Sequence, residues 1–449
     1  MLNPRSLLAL LWLLLLIGYI LGGVAITPFH GDEAMQITMS ADYDTSFIQR
    51  NLAALMVAPP YAIDSPAWLR LINGSVNRYL IGLSWHLAGF SVNDLPPIWQ
   101  WPVSYDDNVT QGHRPSEALL TVSRWSSALL LGLSVVVMFG IGYGVGGWPV
   151  ALFASGLYAL HPVILLNGRR AMQEGALLCF GLLCIWLAMQ IAHRLQDRQR
   201  VNTGWWIGLA FAAGLTLASK HSGVVFVAAA FGWVCVAVLM GVLRVWATRR
   251  IAPKFTRILV APLLLWLSAV ISSFLLFVAL SPALWNDPPA RLRDLLTERA
   301  ALLDSQVIAA GGATSFLSRL TGMLTQPFLQ PAEIYEAGFW ANSSAFMGEV
   351  RAYTESAWLG LGGGLIGAVL SAIALVGMGL LLLHLRRRDP LAMGLSIWLL
   401  VTVATLLVNP LPWQRYYLPL LPIVILLAAW GGGWLLTRTR RYVNPRLPR

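Results

Sequence analysis

Charge is scarce in this sequence. Of its 449 residues only 11% are Asp, Glu, Lys or Arg, less than half the share usual in soluble domains. That scarcity excludes a string of soluble domains, a disordered chain and a nucleic-acid-binding module. Lysine is nearly missing, with Lys220 and Lys254 the only two. Cysteine is equally sparse. Cys179, Cys184 and Cys235 all lie inside apolar runs, which excludes a disulfide scaffold and matches no metal-ligand spacing. They read as small core residues. Internal repeats and low-complexity tracts are also lacking.

What remains is hydrophobic. Apolar residues make up 57% of the chain, and the mean hydropathy is +0.66. Runs long enough to cross ~30 Å of hydrocarbon fall at 7–26, 119–141, 149–166, 171–192, 205–219, 222–243, 258–281, 357–384, 390–408 and 416–436. The 205–219 run is short. The first run, Leu7 to Ile26, is longer than a signal-peptide core and is followed by no small-x-small cleavage pattern, so it is expected to be retained. Residues 72–90 are interrupted by Asn73, Asn77, Arg78 and His86 and predict an amphipathic helix lying at the interface. The expected fold is an all-α polytopic membrane protein of about ten spans, within a range of 10–12, forming one membrane-embedded domain over 1–449.

Charge orients those spans. With the N-terminus inside, seventeen basic residues fall on short inner segments: Arg5, the 193–203 loop, the 244–257 loop, Arg386–Arg388 and the tail after Thr437. Only Asp197 and Asp389 accompany them, and every charged loop then obeys the positive-inside rule. Counting 72–90 as a span would invert the tail, so it is not counted. Two long segments, 27–117 and 282–356, are left facing outward, and the chemistry is expected there.

The first polar cluster is His30-Gly31-Asp32-Glu33, directly after the first run. Paired carboxylates at the end of a membrane helix are costly unless paired or functional; the bland alternative is a solvated loop with a helix-capping Asp. Glu174 follows Arg169 and Arg170 where the third run meets the fourth. A structural ion pair closing the turn is the alternative there. Lys220-His221 separates the fifth and sixth runs, and a snorkelling lysine would explain it. Arg415 precedes the last run within Trp413-Gln414-Arg415-Tyr416-Tyr417, where an interfacial anchor would suffice. Taken together, Asp32, Glu33, Glu174, Arg169, Arg170, Lys220 and Arg415 come from four junctions to one membrane face. Arginine and lysine bind phosphate oxygens, and a carboxylate can take a hydroxyl proton.

This ordered set resembles the lipid-carrier-dependent glycosyltransferases of the C-type fold, the protein O-mannosyltransferase and aminoarabinose-transferase group. The resemblance rests on Phe29-His30-Gly31-Asp32-Glu33-Ala34, the Gly168-Arg169…Glu174 turn, Ala218-Ser219-Lys220-His221-Ser222-Gly223 and Arg415-Tyr416-Tyr417-Leu418-Pro419. Ser281-Pro282-Ala283-Leu284-Trp285-Asn286-Asp287-Pro288 is similar to a loop start of the mannosyltransferase branch. The family implies inverting transfer of one sugar from a polyprenyl phosphate to an acceptor hydroxyl on the extracytoplasmic face. By that resemblance Asp32 or Glu33 is the base and Glu174 the second acidic position, which is commonly Asp. Arg169, Arg170, Lys220 and Arg415 would face the carrier phosphate, and His30, His221, Tyr416 and Trp101 the substrates. The large folded insert of eukaryotic relatives is absent from 282–356, and the acceptor stays open among protein, lipid and glycan.

The inventory suits that chemistry. A polyprenyl phosphate leaves as an anion, so the reaction needs cations and one base rather than a general acid. No cofactor is required on this reading. A divalent metal held by His30, His113 and His161 lacks ligand spacing. Trp99, Trp101, Tyr105, Asp106 and Asp107 form an aromatic–acidic stretch able to stack a sugar or to anchor at the interface. Asn73, Asn108 and Asn342 begin glycosylation sequons. The expected setting is a multi-pass protein of a prokaryotic plasma (inner) membrane, with the bilayer and a lipid-linked sugar as partners and no nucleic acid. A transporter or flippase for a lipid-linked anion is the competing reading, although its binding residues would be expected at mid-membrane in repeated halves. A non-catalytic scaffold leaves Glu174 and Lys220 unexplained.

Overall fold

The computed structural model describes residues 3–197, 199–247 and 255–443. Among these the chain is helical throughout, with no strand. Eight helices are long and apolar enough to cross a membrane. The first, Pro4–Gly22, starts where Pro4 occupies a first-turn position that needs no N–H, and Asn3 accepts the Arg5 amide at 3.1 Å. Its outward leucines are exposed, as lipid-facing side chains are.

The runs expected at 119–141 and 149–166 are joined in the structure. One helical stretch, Glu117–Ala159, breaks at Gly146 and Gly147, the latter at φ +67°, a conformation glycine adopts without a Cβ penalty. Pro149 follows two residues on. The two arms fold back on each other so closely that a Cβ at Gly142 would stand 2.9 Å from the Ala151 Cα. Pro162–Arg169 then continues as a short buried helix. Counting both arms and the 17-residue apolar helix Thr203–Ser219 beside the other spans reconciles these eight helices with the ten expected runs. The remaining spans are Glu174–Gln196, Val224–Ala247, Phe255–Ala279, Gly364–Arg386, Pro390–Val408 and Leu421–Val443. Glu174–Gln196 lies at the centre, packed against the 117–159, 203–219 and 224–247 helices, while 364–386 packs along 421–443. The basic residues of 248–254 and of the tail beyond 443, like Arg198, lie outside the described residues.

Within the 72–90 segment the structure forms one helix, Val76–Leu87. Pro66–Ile72 is a separate helix that precedes it, parted from it at Asn73-Gly74. Twelve residues rise only about 18 Å, too little to span. Of the polar residues that interrupt the run, His86 is exposed, Asn73 is half-buried and the other two turn inward. Asn77 and Arg78 are buried, and Arg78 Nη1 meets Asp42 Oδ2 at 2.5 Å while Arg70 Nε meets Oδ1 at 2.9 Å. Burying these charges costs desolvation that the pairing with Asp42 offsets, and a buried charge left without that partner would be strongly destabilising.

Residues 27–117 and 282–356 interlock at one end of the bundle. Phe29, Trp85, Trp99, Tyr105, Trp340 and Phe346 form one buried aromatic cluster drawn from both. Polar clasps reinforce it. Arg114 Nη1 donates to Glu349 at 2.5 Å, Tyr105 to the same carboxylate at 3.1 Å, and Trp68 Nε1 to Glu298 at 2.8 Å.

Candidate active site

The site begins where the first span ends. His30 caps the Gly31–Met39 helix: its Nδ1 accepts the Asp32 N–H at 3.1 Å, and Glu33 Oε2 accepts the His30 N–H, also at 3.1 Å. Because Nδ1 is an acceptor, the ring proton sits on Nε2 and is given to Glu336 Oε2 at 2.8 Å. Both acidic residues stand in the first helical turn, where the backbone favours negative charge.

The two adjacent carboxylates then part company. Glu33 is fully buried. Its Oε1 accepts from Arg124 Nε at 2.7 Å and from the Ala171 amide at 2.8 Å, and its Oε2 from Arg124 Nη2 at 2.8 Å. Burial raises its pKa, but Arg124 more than offsets this and the net shift is downward. With every acceptor position occupied, Glu33 is unavailable as a base; the expectation that it could serve as one is corrected. Asp32 keeps an exposed edge and pairs with Arg415. Burial raises its pKa too, and Arg415, then His30, carries it below the ordinary value.

Arg415 sits in the turn Gln414–Tyr417 and joins two carboxylates, Asp32 through Nη1 and Glu336 through Nε at 3.0 Å. Burial lowers its pKa, but Glu336 and Asp32 lift it well above the usual arginine value. Glu336, opposed by burial yet facing Arg415 and His30, is held far below the carboxylate range. The Trp413 and Tyr416 rings flank the guanidinium at 5.4 and 5.9 Å. Gln414 clasps the 331–337 segment: its N–H donates to Glu333 Oε2 and its Oε1 accepts the Glu333 N–H, both at 2.7 Å.

Lys220 and Glu174 form a separate pair at 2.5 Å, with Glu174 buried and its Oε2 unpartnered. His221 packs edge-on to Phe277. Beside this cluster a cavity of about 360 Å³ opens between the Pro288–Ala309 helix and the Pro390–Val408 span. It is lined by Arg299, Leu302, Gln306, Thr405, Leu406 and Tyr416 among others. Arg299 pairs with no carboxylate among the described residues, and burial together with the neighbouring Arg415 lowers its pKa. An unneutralised guanidinium in an apolar cavity is a ready anion site. Trp101 lies parallel to Trp340 at 5.6 Å and tilts against His30.

Arg169 and Arg170 are placed elsewhere than expected. Arg169 donates to the Ile20, Tyr19 and Trp358 carbonyls at 2.8, 2.8 and 2.6 Å, capping the last turn of the first span as a cation should. Arg170 donates to the Pro28 and Ile334 carbonyls at 3.1 and 2.7 Å. Both are buried and turned from the cavity, so their expected phosphate contact is corrected to a structural one. His30, His113 and His161 lie apart in their bonding: His161 donates to the Pro327 carbonyl, while His113 faces Gln100. Among the described residues no group of three such ligands could hold a metal. Of the sequons, Asn108 is buried with its amide bonded to Gln100, Val103 and Ser104 carbonyls, and Asn342 is exposed.

Sequence reasoning missed Glu336, Arg299 and Arg124. Arg124 left a signal, since an arginine six residues into an apolar run implies a buried partner. Glu336 and Arg299 left none, because their segments look like ordinary loop and amphipathic helix.

The family model described as dolichyl-phosphate-mannose-protein mannosyltransferase matches residues 74–285, a little under half of the chain. No curated protein matches the sequence. Among solved structures, ArnT from Cupriavidus metallidurans bound to undecaprenyl phosphate is similar over 98% of this chain and 66% of its own, at 14% identity and TM-score 0.50. The chain has the fold of the C-type glycosyltransferases. The Archaeoglobus fulgidus oligosaccharyltransferase in complex with Zn and sulfate matches over 96% of this chain and 50% of its own, at 14% identity and TM-score 0.50. The S. cerevisiae protein O-mannosyltransferase Pmt1-Pmt2 complex bound to the sugar donor matches over 64% of this chain and 35% of its own, at 15% identity and TM-score 0.44. This C-type chain therefore spans between about a third and two thirds of the proteins it resembles.

Proposed function

We propose that this chain transfers a single sugar from a polyprenyl-phosphate donor to an acceptor hydroxyl at the extracytoplasmic face, with inversion at the sugar carbon. The observation that carries the reading is a carboxylate, Asp32, held against a cation, Arg415, beside an apolar cavity lined by Tyr416 and by Arg299, which pairs with no carboxylate among the described residues. The cavity accepts the first isoprene units, and Arg299 and Arg415 receive the phosphate. Lys220, tied to Glu174, adds positive potential nearby, while His30, His221, Tyr416 and Trp101 shape the pocket around the sugar and acceptor. Asp32 takes the acceptor proton as the new bond to the sugar forms. The bond to the phosphate oxygen breaks in step, and the phosphate leaves as an anion stabilised by the cations, so no acid is required. The chain acts as one membrane-embedded domain of an inner membrane, with segments 27–117 and 282–356 outside and both termini in the cytoplasm. The acceptor is a protein, lipid or glycan.

The test is sugar transfer in everted and right-side-out vesicles supplied with radiolabelled polyprenyl-phosphate mannose, glucose or aminoarabinose. Asp32→Asn is expected to lower transfer about 10²–10⁴-fold, the range for a lost general base, at unchanged expression. Movement of the lipid-linked sugar between leaflets without donor consumption would replace this reading with a flippase.

A further inference from the structure

Resting on that reading, we infer that Glu336 is a positioning residue that holds Arg415 while Asp32 and the donor phosphate exchange places on it. The geometry assigns the two edges of the guanidinium separate jobs. Glu336 takes the Nε edge at 3.0 Å, and the same carboxylate fixes His30 through Nε2 at 2.8 Å. Asp32 takes Nη1. A phosphate entering from the Arg299–Tyr416 side competes for Nη1 with the more exposed of the two half-buried carboxylates, because Asp32 keeps twice the side-chain exposure of Glu336 (26% against 13%). Arg415 leaving Asp32 alone would expose a free base; Arg415 leaving both would misplace the phosphate.

Two further consequences follow from the same arrangement. Asp32 is masked while the donor is absent, so an acceptor hydroxyl meets an active base only after the phosphate arrives. Donor therefore binds before acceptor. Glu336 also raises the basicity of Asp32, through its own negative charge and by sharing the arginine. The other charged or titratable groups facing this centre are His30 from the helix cap, Glu333 from the 331–337 segment, Arg170 from the 169–174 turn, Tyr416 beside Arg415, and Glu174 with its partner Lys220.

The experiment compares the full-length wild type with Glu336→Gln and Glu336→Asp in proteoliposomes, reading undecaprenyl-phosphate binding by tryptophan fluorescence and kcat for transfer from pH 4 to 9. Glu336→Gln is expected to bind the lipid phosphate within about twofold of wild type. Its kcat falls tenfold or more, because the weakened base transfers the proton less readily, and the acidic limb of the profile moves to lower pH. Glu336→Asp restores the position of the limb and part of kcat. An unchanged kcat and limb in Glu336→Gln overturns the proposal. So does parallel loss of lipid binding and kcat with the limb unmoved, which describes a structural or phosphate-binding residue. If wild type itself transfers no sugar, the proposed function fails and this inference with it. If wild type transfers and Glu336→Gln matches it, only this inference fails.

Discussion

Two carboxylates one residue apart show how the surroundings, not the residue type, decide a role. Glu33 and Asp32 share a helix turn, yet Glu33 is enclosed by Arg124 and the Ala171 amide while Asp32 faces Arg415 with an open edge. Removing one partner of a buried ion pair leaves an uncompensated charge, at a cost of about 3–5 kcal/mol. Arg124→Ala is therefore expected to lower the melting temperature sharply in detergent, whereas Asp32→Asn, which leaves Arg415 its Glu336 partner, lowers it less while cutting transfer about 10²–10⁴-fold. Arg299 belongs to the opposite class, since no carboxylate among the described residues pairs with it. Replacing it with alanine is expected to leave folding intact and to weaken undecaprenyl-phosphate binding roughly tenfold or more, as loss of a charged hydrogen bond worth about 1.5–3 kcal/mol implies. Equal lipid affinity in the two proteins, measured by fluorescence titration, would remove Arg299 from the site.

At the scale of elements, the site depends on close approaches between helices that carry little chemistry themselves. Gly74, between the Pro66–Ile72 and Val76–Leu87 helices, lies so near the end of the Thr203–Ser219 helix that an added Cβ would stand 2.1 Å from the Ser219 carbonyl oxygen. Lys220 is the next residue. Gly74→Ala must therefore push these elements apart, and overpacking of this kind costs about 1–3 kcal/mol. A lowered thermal midpoint together with a longer Lys220–Glu174 separation is expected, the first by thermal-shift assay and the second by structure determination. The hinge at Gly146-Gly147 was hidden in the sequence, because two apolar runs parted by glycines and a proline look like separate spans whether the chain turns sharply or loosely. The 72–90 segment was hard to place for a related reason. Hydropathy shows that polar residues interrupt it but not that one of them, Arg78, turns inward to Asp42.

For the whole molecule, the loop segments 27–117 and 282–356 act as one lid-like assembly of aromatic and ionic contacts over the bundle end. Several of its carboxylates titrate below their ordinary values, Asp32 and Glu33 from 3.8 and 4.5 and Glu336 from 4.5. A depressed folded-state pKa contributes stability that is fully present above the unfolded value and is lost as pH falls through the folded one. The protein is expected to hold constant stability above about pH 5 and to lose it progressively below the ordinary carboxylate range. Glu336→Gln should flatten that acid limb in a melting series from pH 3 to 7. Stability that rises on acidification would contradict the ion pairing described for this end of the molecule.

The sequence by itself determined the class of the molecule: a helical membrane protein of the C-type fold, with its polar junctions gathered at one end. Apolar run length and charge bias are local properties, and the bilayer acts on them locally, so they survive without knowledge of the fold. It also singled out Asp32, Arg415, Glu174 and Lys220 as polar residues too costly to stand idle beside hydrocarbon. Which carboxylate is open and which is locked, that Arg169 and Arg170 donate to backbone carbonyls, and that Glu336 and Arg299 lie beside Arg415 were decided only by the tertiary structure. Those outcomes depend on which distant side chain reaches a buried charge first, and residues 383 positions apart, such as Asp32 and Arg415, meet only once the whole bundle has packed.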